Sequence, residues 1–209
     1  MERIRPLRRP DAPAVARLHR AAMGNSLWAR LGTTFLTRLY EGLVRDPRFV
    51  GFVYEEEGAV RGFIAGTTNG ERLFRDTLVR EAPHLIWPAL VGILRDPGVL
   101  IPLLATPFYF RRSLLTRVPA ESLFCSFEPE LRGKRISGHI NKVLFDDLYA
   151  RGHQRVKITT ESDNLGAVRQ LRSWGFVEAG AFRFYGKPMT AYVLDLSECE
   201  RVEAVRRYP

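Results

Sequence analysis

SFEPELRGKRISGHINKVLFDDLYARG (residues 126–152) decides how the chain folds. It begins as the end of a strand, breaks at Pro129 and restarts as a helix. The helix is marked by Ile136, Ile140, Val143, Leu144 and Leu148 at helical spacing and closes at Gly152. Between strand and helix lies the basic, glycine-containing turn Arg132-Gly133-Lys134-Arg135-Ile136-Ser137-Gly138. A strand that feeds a helix through such a turn leaves the helix's first N–H groups unpaired and aimed into the turn. Those donors and the helix dipole attract anions, phosphate above all. Arg132, Lys134 and Arg135 add charge, and arginine offers a fork of donors suited to phosphate oxygens. Two phosphate turns are excluded. A P-loop needs Gly-Lys followed by Ser or Thr, whereas Lys134 is followed by Arg135, and the three spaced glycines of a dinucleotide fingerprint are missing after the first strand.

Outward from this stretch, ESLFCSFEP (residues 121–129) precedes it as a strand and RVKITTE (155–161) follows as another. Ser162-Asp163-Asn164 leads into a short helix, LGAVRQLRSWGF, and EAGAFRFYGKPMTAYVLDL forms two strands around a turn at Gly186-Lys187-Pro188. Towards the N-terminus, residues 4–7 make a first strand. Asp11 is expected to cap a helix with Pro13 in its first turn and Val15, Leu18 and Ala22 on one face. Leu31, Phe35, Leu36, Leu39, Tyr40 and Leu43 mark a second helix, stopped by Asp46-Pro47. FVGFVYEEEGAVRGFIAG then reads as a hairpin whose acidic turn ends at Gly58. The order predicts an α/β chain, a mixed sheet with helices packed on it, as a single domain over residues 1–209. Residues 71–119 interrupt it as an apolar insertion of two or three short helices. Arg95-Asp96-Pro97, Pro102 and Pro107 cut it well short of the roughly 20 residues of a membrane span. Such an insertion extends the core, forms a lid over a hydrophobic acceptor, or touches a membrane surface.

The chain of 209 residues is 45% hydrophobic, enough for a substantial core, and carries a net charge of +9 with a pI near 10.1. Of its 32 basic residues only Lys134, Lys142, Lys157 and Lys187 are lysine. Basic charge alone is compatible with a solvated surface, a phosphorylated cofactor, nucleic acid or an anionic membrane. No aromatic-basic interleaving or helix-turn-helix pattern supports nucleic acid. Two cysteines, Cys125 and Cys199, and an N-terminus without a signal-peptide core lead to the expectation of a reducing cytoplasm. No His or Cys cluster has metal-ligand spacing, so no metal is expected.

The turn resembles motif A of the GNAT acyltransferases: a Gln or Arg, two residues, a Gly, any residue, then Gly or Ala. Arg132 takes the first position, Arg135 stands where the first Gly is usual, and Ser137 takes the small-residue place. NLGAVRQLRSWGF resembles motif B, with Asn164, Ala167 and Gly175-Phe176 at the family's spacing. The order of elements is similar over nearly the whole chain. The insertion and the closing strands resemble GNAT-type proteins of bacterial polysaccharide and natural-product gene sets. The resemblance implies an N-acyltransferase that moves an acetyl or longer acyl group from acetyl-CoA or another acyl-CoA to a small-molecule primary amine, by direct attack in a ternary complex. A hydrophobic or sugar-linked acceptor fits the insertion, and a homodimer is compatible with the family. The alternative is a weakened GNAT fold that binds CoA or a partner without turnover.

That chemistry needs a base to neutralise the amine, donors for the carbonyl oxygen as it becomes negative, and relief for the departing thiolate. The resemblance places Glu121 as the base and the main-chain N–H groups around Cys125 and Phe127 as donors. The Cys125 thiol has no neighbouring base in sequence and reads as a core residue rather than a nucleophile. Main-chain amides of Arg132, Gly133, Lys134, Arg135, Ile136, Ser137 and Gly138 are implied to hold the pyrophosphate, and Asn164, otherwise a plain helix cap, the pantetheine arm. Two departures stand out. Arg135 replaces a residue tolerant of positive φ. Leu171 occupies the place where motif B often carries a Tyr that protonates the thiolate, leaving Tyr185 as a substitute; as an exposed packing aromatic Tyr185 would serve no chemistry.

Overall fold

The computed structural model describes residues 2–104, 117–131, 134–184 and 186–205. Strands β1 (Glu2–Pro6), β2 (Phe49–Glu56), β3 (Ala59–Thr67), β4 (Glu121–Phe127), β5 (Arg155–Glu161), β6 (Val177–Phe184) and β7 (Lys187–Asp195) form one sheet in the order β1-β2-β3-β4-β5-β7-β6. Every neighbouring pair is antiparallel except β4 with β5. The expected mixed α/β sheet is therefore present.

Period-two alternation gives the sheet two buried faces. Phe52 and Ile64, opposite one another, enter one core, while their neighbours Val53 and Phe63 enter the other. Helices α1 (Ala12–Ala22), α2 (Leu27–Arg30), α3 (Thr33–Leu43), α4 (Gly70–Arg80) and α5 (Ala82–Arg95) pack on the Phe63 side. Helices α6 (Ile136–Ala150) and α7 (Leu165–Trp174) cover the other side through Ile140, Leu144, Leu148, Val168 and Leu171. The hairpin turns through Glu57 and Gly58, both at positive φ (54° and 80°), the turn hand that matches strand twist.

Several expectations need correction. Asp11 does stand at the start of α1, but its carboxylate accepts the Arg8 N–H (2.8 Å) and two bonds from the Arg5 guanidinium (2.7 and 2.8 Å) instead of a bond from the helix. Ala22 is exposed, because the α1 stripe is completed by Ala12, Ala16 and His19. Leu31 belongs to the end of α2, since Gly32 at φ 101° starts a separate helix. Pro188 is not in the turn but in β7 opposite Arg183; its carbonyl takes the Ser162 N–H at 3.0 Å, so losing its own donor does not end the strand.

In the stretch read as an insertion, the described residues are helical: α4, α5 and the segment Pro97–Leu104, bent by 118° from α5. Leu73, Phe74, Leu85 and Val99 are buried in the core beside α3, so the inner face extends that core. Two contacts fix how α5 lies. A Cβ on Gly92 would stand 2.5 Å from the Leu31 carbonyl oxygen, so the helix backbone rests directly on Leu31. At its C-terminal end Asp96 accepts paired bonds from Arg30 (2.7 and 2.8 Å). No single described helix is long and apolar enough to cross a membrane.

Candidate active site

The sheet comes apart at its one parallel step. β4 and β5 pair only through Glu121 with Lys157 and Ser122 with Ile158, although each strand has seven residues. A bulge contributes to the divergence: Gly66 lies opposite Ser122 and Ala65 opposite Phe124, leaving Leu123 as the extra residue. Beyond Ser122 the two strands have no paired register. Strand alternation then says which donors face the gap. The Glu128 N–H donates to Arg61 O on the β3 side at 2.9 Å, so those of Phe127 and Cys125, one and three residues back, point to the β5 side. These are the two positions expected to supply donors.

Eight residues separate the end of β4 from α6, which begins without a side-chain cap and without an acidic residue in its first turn. Lys134 N–H is taken by Leu131 O (3.3 Å) and Gly138 N–H by Arg135 O (3.0 Å). No acceptor among the described residues takes the amides of Arg135, Ile136 and Ser137. Arg132 and Gly133, whose carbonyls stand three or four positions before these amides, lie outside the described residues. A Cβ added at Gly138 would meet nothing within 4 Å, so the approach over that residue is open. Arg135 adopts the left-handed conformation (φ 57°, ψ 7°) that the sequence comparison assigned to a glycine place. An arginine held there costs on the order of 1 kcal/mol, a strain of the kind that collects at binding sites. Lys134 and Arg135 are exposed and hold no ion pair among the described residues. Exposed cations at a helix start that has no acidic residue in its first turn fit a pyrophosphate.

Glu121 opens β4 at the last closed step before the gap. Its side chain is 16% exposed, and Oε2 lies 3.4 Å from Lys157 Nζ. Burial pushes its carboxyl above the usual carboxylate range, and the Lys157 charge pulls back only part of that rise. A raised carboxyl is what a base working near neutrality requires. Oε2 is also 2.9 Å from where a Gly70 Cβ would stand, so the first residue of α4 has no side chain because the carboxylate fills its space. A cleft of about 140 Å³, lined by Asn69, Gly70, Glu71, Arg117, Val118, Pro119 and Lys157, opens beside this pair.

The remaining candidates divide. Burial raises the Cys125 thiol to about 12, so it stays protonated and inert, as its sequence context implied. Asn164 caps α7, its Oδ1 accepting the Ala167 N–H at 3.1 Å. Leu171 is 6% exposed and packs in the core beside α6, so that place supplies neither a hydroxyl nor contact with the gap. Tyr185 lies outside the described residues. No group of three or more metal-ligating side chains occurs among the described residues.

Sequence reading missed two features. Lys157 is one of four lysines and sits between the apolar residues Val156 and Ile158 inside a strand, which was the available signal. A buried pair, His19 Nδ1 to Tyr40 Oη at 2.8 Å, ties α1 to α3. His19 lies against Phe124 of β4, ring centroids 4.7 Å apart, and desolvation lowers it to about 4. Both residues sat at core positions of their helices, and nothing in one sequence pairs them.

No protein-family model and no curated protein sequence matches the chain. Solved structures do. The ribosomal-protein-S18-alanine N-acetyltransferase of Escherichia coli superposes with a TM-score of 0.58 at 14% identity, over 93% of this chain and 94% of that one. An N-acetyltransferase of Staphylococcus aureus Mu50 gives 0.62 at 17% identity over 93% and 98%. A Drosophila melanogaster polyamine N-acetyltransferase gives 0.59 at 13% identity over 93% and 100%. The chain has the fold of the GNAT N-acetyltransferases.

Proposed function

We propose that the protein is an acyl-CoA-dependent N-acyltransferase acting on a small-molecule primary amine. The parting of β4 from β5 supports this reading above all, because it places a buried carboxylate and unpaired strand donors beside one gap. Acetyl-CoA or a longer acyl-CoA supplies the activated acyl thioester. Amides at the start of α6, those of Arg135, Ile136 and Ser137 among them, bind its pyrophosphate, with Lys134 and Arg135 as supplementary cations. Glu121 takes a proton from the acceptor ammonium so that a neutral amine attacks. Main-chain N–H groups of Cys125 and Phe127 donate to the carbonyl oxygen as it gains charge. With Leu171 in the core, Tyr185 is the remaining candidate to protonate the thiolate, and a thiol of ordinary pKa about 8.5 also leaves unassisted at a lower rate. Free-thiol release from acetyl-CoA over pools of amines, polyamines and amino sugars tests the proposal, and thiol release with one amine class is expected.

The buried Leu171 also favours a second reading, a fold that holds CoA without turning it over. Binding of acetyl-CoA with no thiol release on any amine would select it.

A further inference from the structure

The outer side of α5 is apolar throughout. Pro83, Ile86, Trp87, Leu90 and Leu94 fall within a 100° arc at helical spacing and all are exposed, Trp87 at 72% and Leu94 at 81%. Ile101 (78% exposed) and Leu104 (68%) continue the apolar exposure along the bent segment that follows. α1 is the normal case, turning Arg17 and Arg20 to water. α5 is not loosely placed. Gly92 seats its backbone on Leu31 and the Arg30–Asp96 pair holds its end, so the apolar arc is held outward by specific contacts on the opposite side. Contiguous apolar exposure of this kind marks a docking surface.

Charge selects the occupant. Among the described residues from α5 to Leu104 the one carboxylate, Asp96, is neutralised by Arg30, and Arg95 adds a positive charge. Arg95, at the end of the helix, is exposed with no ion pair among the described residues. A second copy of the chain would set this cationic segment against itself, with the rest of a +9 molecule behind it. An anionic bilayer is complementary in both respects: acyl chains accept the apolar arc, headgroups accept Arg95, and an exposed Trp at the edge suits the interface. We infer that α5 and the segment Pro97–Leu104 dock the protein on the surface of an anionic membrane, lying in the interface without crossing it.

Co-sedimentation of the full chain with phosphatidylcholine vesicles, with and without phosphatidylglycerol, tests this, alongside tryptophan emission. Binding to the anionic vesicles with a blue shift is expected, falling as salt rises. Trp87→Ser should abolish the shift, and Trp87→Ser and Leu94→Ser should each weaken partitioning roughly tenfold or more. Both side chains are mostly exposed, so thermal melts should match wild type, and Val177→Ser on β6, also exposed at 65%, should partition normally. Equal binding to neutral vesicles, no binding at low salt, or wild-type binding by both α5 variants would overturn the proposal. So would a concentration-dependent dimer that Leu94→Ser dissolves, which would give the face to a second copy.

Discussion

Glu121→Gln separates a catalytic carboxylate from a structural one, because the two roles predict opposite changes in stability. If Glu121 is the base, its loss removes a general-base contribution of about 10²- to 10⁴-fold, or roughly 3–5 kcal/mol of barrier. The folded protein holds this carboxyl above its ordinary range, so at neutral pH its ionised form is disfavoured by the fold even with Lys157 at 3.4 Å. Stability contributed by a raised carboxyl is present below the unfolded value and is lost as pH rises through the folded one. Glutamine carries no such penalty, and its carbonyl oxygen can still accept from Lys157. The variant should therefore melt at or above the wild-type temperature at pH 8, with the difference vanishing in acid. Its acetyl-CoA affinity should stay within about twofold, because Glu121 lies outside the α6 amides that carry that affinity. Thiol-release kinetics against pH supply the second half: wild-type kcat/KM should climb through the raised carboxyl's range, and the variant should lose that limb. Unchanged turnover would remove Glu121 from the mechanism. Activity and melting temperature falling together would make the Glu121–Lys157 pair a structural tie.

Further perturbations test neighbouring parts. Gly70→Ala should leave thermal stability intact while displacing the Glu121 carboxylate, so turnover falls with little change in acetyl-CoA affinity by calorimetry. Arg135→Gly relieves the left-handed strain and should raise stability by about 1 kcal/mol in denaturant melts, while weakening acetyl-CoA binding through the lost guanidinium. His19 is neutral in the fold down to about pH 4, whereas the unfolded ring takes its proton near 6.5. Stability should thus fall as pH drops across that window, by up to about 3 kcal/mol. Comparing melts of wild type and His19→Phe from pH 7 to 4 should show the slope reduced in the variant. Gly92→Ala forces a Cβ onto Leu31 backbone and should cost about 1–3 kcal/mol or shift α5.

Much of the architecture was legible because it rests on local signals. The hairpin at Gly58, the α6 stripe from Ile136 to Leu148 and the β5 run 155–161 each follow from periodicity and turn chemistry within one segment. The start of β4 at Glu121 was also legible, as the first residue of a strand feeding the basic turn. What the sequence hid depends on contacts between distant segments. The parting of β4 from β5 is a matter of register, expressed by the bulge at Leu123 and by where pairing stops. Lys157 became part of the site only because β5 lies beside β4 at Glu121. Asp11 was misread for the same reason: its short-range fit to a helix cap was outweighed by the Arg5 guanidinium six residues away. The apolar insertion left core, lid and membrane surface open, and its inner face is core; which side of α5 faces outward is set by Gly92 against Leu31, a contact across 61 positions.

Isothermal titration of acetyl-CoA against the intact protein, paired with the same titration using acetyl-pantetheine, addresses the central claim most directly. If the amides at the start of α6 hold the pyrophosphate, the full nucleotide should bind at micromolar strength and the fragment lacking phosphates far more weakly. Equal affinity for the two, or no heat with either, would contradict it.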